Sequence, residues 1–323
     1  MRIAPVRRLP TLLILFLLAV PVLAQRPSDP ALMVPQQAPE LDMTAVLDPL
    51  PIPAGMTMGA PAAVAFDAKG HLYVLTRGAQ AFWEYDDKGA FVRTFGDRFT
   101  RAHGLRIDRE GNLWATDVGA HTVMKFNPAG TILLTIGTKG QAGTWDEAAG
   151  AHLLNQPNDV AIATNGDIFV AQGHTPGATG DPRILKFDKT GKFLTQWGGH
   201  GTEPGHFEVA HSIAFDAQGQ LWVADRENQR IQVFDTNGKY VREMKYAGLP
   251  CAFEIGRDYV YMVNGFAAQV LRLDLTGKVL AATGSAGKGV NQYGEAHFIA
   301  VSPTGELYVA DSVNANLQKY VRR

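Results

Sequence analysis

Residues 210–235 read AHSIAFDAQGQLWVADRENQRIQVFD. Apolar and polar side chains alternate through AHSIAF, break at a Gly-containing turn, resume in LWVAD and return after a second polar turn in IQVFD. A period of two over short runs, separated by Gly, Asp and Asn turns, specifies antiparallel strands. The pattern recurs as PAAVAFDAKGHLYVLTRG from 61, AHGLRIDREGNLWATDVG from 102 and PNDVAIATNGDIFVAQGH from 157. It recurs again as PCAFEIGRDYVYMVNGFA from 250 and AHFIAVSPTGELYVADSV from 296. A third run follows in each copy (FWEYD, VMKFN, ILKFD, VLRLD, LQKYV), and five copies add a fourth such as AFVRTFG or KFLTQWG. Four strands in a unit of about 35–50 residues make a propeller blade. The chain is therefore predicted to be all-β, a six-bladed β-propeller spanning 43–323, with blades starting near 61, 102, 157, 210, 250 and 296. The sixth copy ends after its third strand, so a strand from around Thr44 to Ile52 is expected to close the ring.

Of the 323 residues 46% are hydrophobic, ample for a buried core, and the net charge is −1. With no basic field, nucleic acid and anionic membrane surfaces are excluded as expected partners. Arg2, Arg7 and Arg8 precede the apolar run Leu9 to Leu23, and Val22-Leu23-Ala24 offers small residues for cleavage. Residues 1–24 thus read as a signal peptide, with an uncleaved N-terminal anchor as the alternative; either way the globular part is expected to be secreted or periplasmic. Prolines 27, 30, 35 and 39 make residues 25–42 an expected extended tether. Cys251 is the only cysteine, so packing alone must hold the fold.

Aligned on the turn glycines, one position of the first strand reads Ala62, His103, Asn158, His211, Cys251 or Pro250, and His297. Histidine therefore occupies blades two, four and six. First strands line the channel of a propeller, so alternate blades set three imidazoles about 120° apart around one axial point. A single channel histidine reads as a hydrogen-bonded structural residue. Three of the nine histidines at one repeat position read instead as a metal cage with an open coordination position. Zinc suits three neutral nitrogens; iron, copper and nickel remain open. Asp117, Asp225 and Asp311 end the second strands of the same three blades. They either orient the histidines or accept backbone N–H bonds at a turn. The loops Thr138–Gln156, His174–Pro182 and Gly198–Val209 are expected to open on the histidine face, where binding function resides.

The pattern VADRENQRIQVFD at 223–235 resembles the NHL repeat. AHGLRIDREGNLWATDVGAHTVMKF, QPNDVAIATNGDIFVAQG and PGHFEVAHSIAFDAQGQLWVADRENQRIQVFD resemble more specifically the peptidyl-α-hydroxyglycine α-amidating lyase domain, over the whole propeller. That resemblance implies zinc on His103, His211 and His297, and an essential arginine at Arg77, placed to clamp a substrate carboxylate. The family's catalytic tyrosine falls at Gln172-Gly173-His174, so His174, Tyr293 and Glu295 are the candidate bases. Its structural calcium is implied at Val64 and Leu105, but Phe298 replaces the aspartate, which argues against that ion here. The resemblance thus implies an exported zinc-dependent lyase that cleaves the C–N bond of an acyl- or peptidyl-α-hydroxyglycine, acting as a monomer on a small-molecule or peptide substrate with a carboxylate. A metal-dependent hydrolase or lyase acting on a small ester or lactone, and a non-catalytic NHL module binding peptide or protein, are the alternatives.

Overall fold

The computed structural model describes residues 27–323; the expected signal peptide at 1–24 lies outside the described residues. Six four-stranded antiparallel sheets follow one another around a ring. Their inner strands are Pro61–Phe66, Ala102–Ile107, Pro157–Ile162, Ala210–Phe215, Pro250–Ile255 and Ala296–Val301. The inner strands are largely buried, whereas outermost strands such as Ile132–Ile136 and Phe193–Gly198 have a mostly half-exposed or exposed pattern; the outermost strand of blade five, Val279–Thr283, is mostly buried. Large side chains such as Trp83, Trp114 and Trp222 fill the spaces between sheets. Among the described residues no helix is long and apolar enough to cross a membrane.

Blade six is completed from the other end of the chain. Met43–Leu47 pairs antiparallel with Asn316–Arg322, from Met43 opposite Arg322 to Leu47 opposite Gln318. This strand stops earlier than Ile52, because Asp48 takes a positive φ of 46° and Pro49, Pro51 and Pro53 follow. The segment expected to be a tether is partly docked. Gln36 and Gln269 exchange hydrogen bonds of 2.7 and 3.1 Å, Pro39 and Leu41 both bond to Ala282, and Leu41 is fully buried.

One irregularity recurs in all six blades and positions the site. The register between first and second strands shifts at Ala62, at His103 and Gly104, and at Asn158, His211, Cys251 and His297. A β-bulge leaves a residue outside the ladder and re-aims its side chain. Here it turns the six equivalent residues toward the axis and frees their backbone carbonyls. In blade five the bulge falls on Cys251 rather than Pro250.

Candidate metal centre

The three channel histidines converge. The His103 ring centroid lies 4.7 Å from that of His211 and 4.6 Å from that of His297, and the last two are 5.3 Å apart. Each is at most 1% exposed. Each ring is held by the carbonyl freed at the bulge of the following blade: His103 Nδ1 by Asn158 at 2.7 Å, His211 Nδ1 by Cys251 at 2.8 Å, His297 Nδ1 by Ala62 at 2.7 Å. A carbonyl only accepts, so Nδ1 carries the proton in all three and the Nε2 lone pairs remain available. Odd blades thus orient the histidines of even blades.

Burial lowers the pKa of His103 and His211 well below the ordinary value and that of His297 to about 4, so the imidazoles stay neutral. His103 Nε2 is buried with no hydrogen-bond partner in the protein. An orphaned buried acceptor costs about 1–3 kcal/mol. Neutral, pre-oriented nitrogens around such an orphan fit a metal ion. The cluster is larger than three histidines. Donor atoms of His103, His174 and His211 lie within 4.8 Å of one another, and so do those of His211, Cys251 and His297.

The rim carries charge. Arg77 donates from Nε to the carbonyl of Ala102 at 3.2 Å, and burial pushes its pKa down to about 10 against the opposing pull of Glu295. Burial alone would raise the Glu295 carboxyl. Arg226, the Ser312 hydroxyl at 2.6 Å and Arg77 outweigh it and hold the group below its ordinary value, hence ionised. Arg226, paired with Glu227 at 2.6 Å, and Arg101 complete the cationic surround. Sequence reasoning missed both arginines. The available signal was register: Arg226 follows the last residue of the blade-four second strand as Arg77 does in blade one, directly across the ring.

The three aspartates act on backbone. Asp117 accepts N–H groups from Thr100 and Arg101, Asp225 from Glu208, and Asp311 from Gly294 and Glu295, at 2.7–3.1 Å. They therefore place the rim residues Arg101 and Glu295 rather than the histidine rings. Tyr293 is not brought to the cage. It is fully buried in an apolar cluster, and its hydroxyl bonds that of Tyr320, which donates onward to Asn291. A proton directed into that chain is not available to a substrate.

Below the histidines the Phe298 ring lies 5.1–6.1 Å from all three, with the Arg106 guanidinium 5.8 Å from its centroid. Arg106 is fixed by Asp159 at 2.6 Å and Glu254 at 3.2 Å. At the implied calcium position the channel therefore holds an aromatic ring beside a fixed guanidinium. Beyond them, at the opposite mouth, opens a cavity of about 840 Å³ lined by Arg106, Ile107, Ile162, Phe215 and Glu254. The loops cover the histidine face and interlock: the N–H of Gly177 donates to Glu208 at 2.6 Å, and Asn155 to the Thr179 carbonyl at 3.0 Å.

The NHL repeat family matches residues 207–234 and 294–320. NHL repeat-containing protein 3 of Homo sapiens is 31% identical over 285 residues, 81% of this chain and 80% of that protein. Peptidyl-glycine alpha-amidating monooxygenase of Mus musculus is 40% identical over 179 residues, which are 52% of this chain but only 17% of that relative's length. Peptidyl-alpha-hydroxyglycine alpha-amidating lyase 1 of Drosophila melanogaster is 29% identical over 262 residues, covering 70% of this chain and 45% of that one. Among solved structures, a gluconolactonase of Xanthomonas campestris superposes with a TM-score of 0.63 over 91% of this chain and 98% of its own, at 16% identity, a likeness of fold. With its repeats, its six blades and a human relative matched over most of both lengths, the chain belongs to the NHL-repeat six-bladed propellers and is similar within them to proteins named amidating lyases.

Proposed function

We propose that the protein is an exported, zinc-dependent lyase acting on an N-acyl hemiaminal, an acyl- or peptidyl-α-hydroxyglycine, and releasing glyoxylate and an amide. The observation that carries this reading is the pairing of neutral imidazoles anchored through Nδ1 with a rim of Arg77, Arg101, Arg226 and the ionised Glu295. The names of the similar proteins point the same way. His103, His211 and His297 would hold the metal, which supplies a Lewis acid to the substrate's oxygen.

The remaining chemistry belongs to the chain. The arginines take the substrate carboxylate, and Arg77 has guanidinium N–H groups to spare beyond its bond to Ala102. Glu295 takes the hydroxyl proton. The O–H electron pair becomes the second bond of the aldehyde, the C–N bond breaks, and its electrons go to nitrogen, which accepts a proton to become the amide. Buried surroundings keep the charges strong and exclude water. Glyoxylate release from a small N-acyl-α-hydroxyglycine by the zinc-loaded protein is the expected result. No turnover across a series of acyl groups would remove this substrate assignment.

A further inference from the structure

We propose that His174 is a fourth metal ligand of the cage, not the base that replaces the family's tyrosine. This rests on the metal-site reading above and deepens it: with four imidazoles bound, the substrate's oxygen would have to enter as a fifth ligand.

The His174 ring centroid lies 4.7 Å from that of His103 and 5.6 Å from that of His211, and donor atoms of the three sit within 4.8 Å of one another. Its anchoring copies that of the other histidines with a side chain in place of a carbonyl. His174 Nδ1 is 2.9 Å from Asn158 Oδ1, while Asn158 Nδ2 donates to the carbonyl of Ala210 at 2.8 Å. That second bond fixes which end of the amide is oxygen, so Nδ1 is the donor and Nε2 carries the lone pair. Asn158 is the bulge residue of blade three. Its backbone carbonyl orients His103 and its side chain orients His174, so one residue aims two rings at one place.

The loop is built for the position. Gly173 has a φ of +95°, and a Cβ there would lie 2.5 Å from Pro182 Cα. Its N–H is shared between the carbonyls of Asn155 and Gln156, and the N–H of Thr175 bonds the Gln156 side chain at 2.9 Å. His174 is thus bracketed on both sides. A general base needs reach toward substrate, whereas a ligand needs a fixed lone pair, and the geometry serves the second need. Proton transfer then falls to Glu295.

X-ray absorption at the zinc edge counts imidazole neighbours, and chelator competition measures affinity, both independently of turnover. Wild-type protein is expected to show four imidazoles and His174→Ala three. Asn158→Leu keeps the ring but frees it, and should weaken zinc about 10–100-fold, the range for losing a ligand's supporting partner. His174→Ala with an unchanged imidazole count and unchanged affinity overturns the proposal. A correctly folded wild-type protein that takes up no zinc is a different result, since it removes the metal reading itself.

Discussion

Glu295 stands two residues before His297 in sequence, yet its role follows from what surrounds its carboxylate. Asp311 holds its backbone, Ser312 its Oε2, and two arginines its charge. Glu295→Gln keeps the hydrogen bond to Ser312 in shape but cannot accept a proton. The expected result is unchanged zinc content with kcat lower by about 10²–10⁴, the usual contribution of a positioned base. Steady-state kinetics on zinc-loaded variant and parent decide it, and equal kcat values would assign the base elsewhere. His103, His211 and His297 were legible in the sequence because one repeat position shows them in register. Arg226 and Arg101 were not, whereas Cys251 already stood at the histidines' repeat position as one of two candidates. The two arginines flank strands, Arg101 just before Ala102–Ile107 and Arg226 just after Leu221–Asp225, where no period-two pattern reaches.

The sheets themselves carry charge networks away from the axis. In blade one, Glu84 accepts from Arg93 Nε at 2.7 Å and from the Tyr73 hydroxyl at 3.0 Å, and faces His71 Nδ1 at 3.0 Å, tying neighbouring strands together. Burial opposes its ionisation, but Arg93, His71 and Tyr73 outweigh it and the pKa falls below 4.5. A carboxylate with a depressed folded-state pKa adds stability above the unfolded value, and loses it as pH falls through the folded one. Glu84→Gln should therefore be less stable at pH 7, by about 1.5–3 kcal/mol for charge-assisted bonds. The gap to the parent should close as the pH drops below 4.5. Denaturant titrations across that range check it; a gap constant with pH would mean the bonds do not depend on ionisation. Strand positions were readable because alternation is strong in every copy. The end of the closing strand was not, because Asp48 leaves the β region before the apolar pattern runs out.

The ring as a whole depends on one strand pairing between distant parts of the chain. Removing residues 27–47 strips the outer strand from blade six and takes away buried Leu41 and Met43. Each such side chain is worth about 1.5–3 kcal/mol of burial. The truncated protein should melt at a lower temperature and hold zinc more weakly, because His297 belongs to the blade left open. Calorimetry with and without zinc tests both, and an unchanged melting temperature would show that the closure is dispensable. Six blades could be counted from repeats alone. The docking of residues 36–41 along blade five could not, since Pro35 and Pro39 suppress any strand pattern and the attachment runs through glutamine side chains and isolated backbone bonds.

That closing pair also sets a timetable. Met43–Leu47 is synthesised before any blade and Asn316–Arg322 after all of them. During synthesis the first strand waits unpaired while five blades form behind it, and the third histidine arrives only with the last. A nascent chain can therefore present all three cage histidines only once the inner strand Ala296–Val301 of the sixth blade has been made, so the cage is completed after the other five blades.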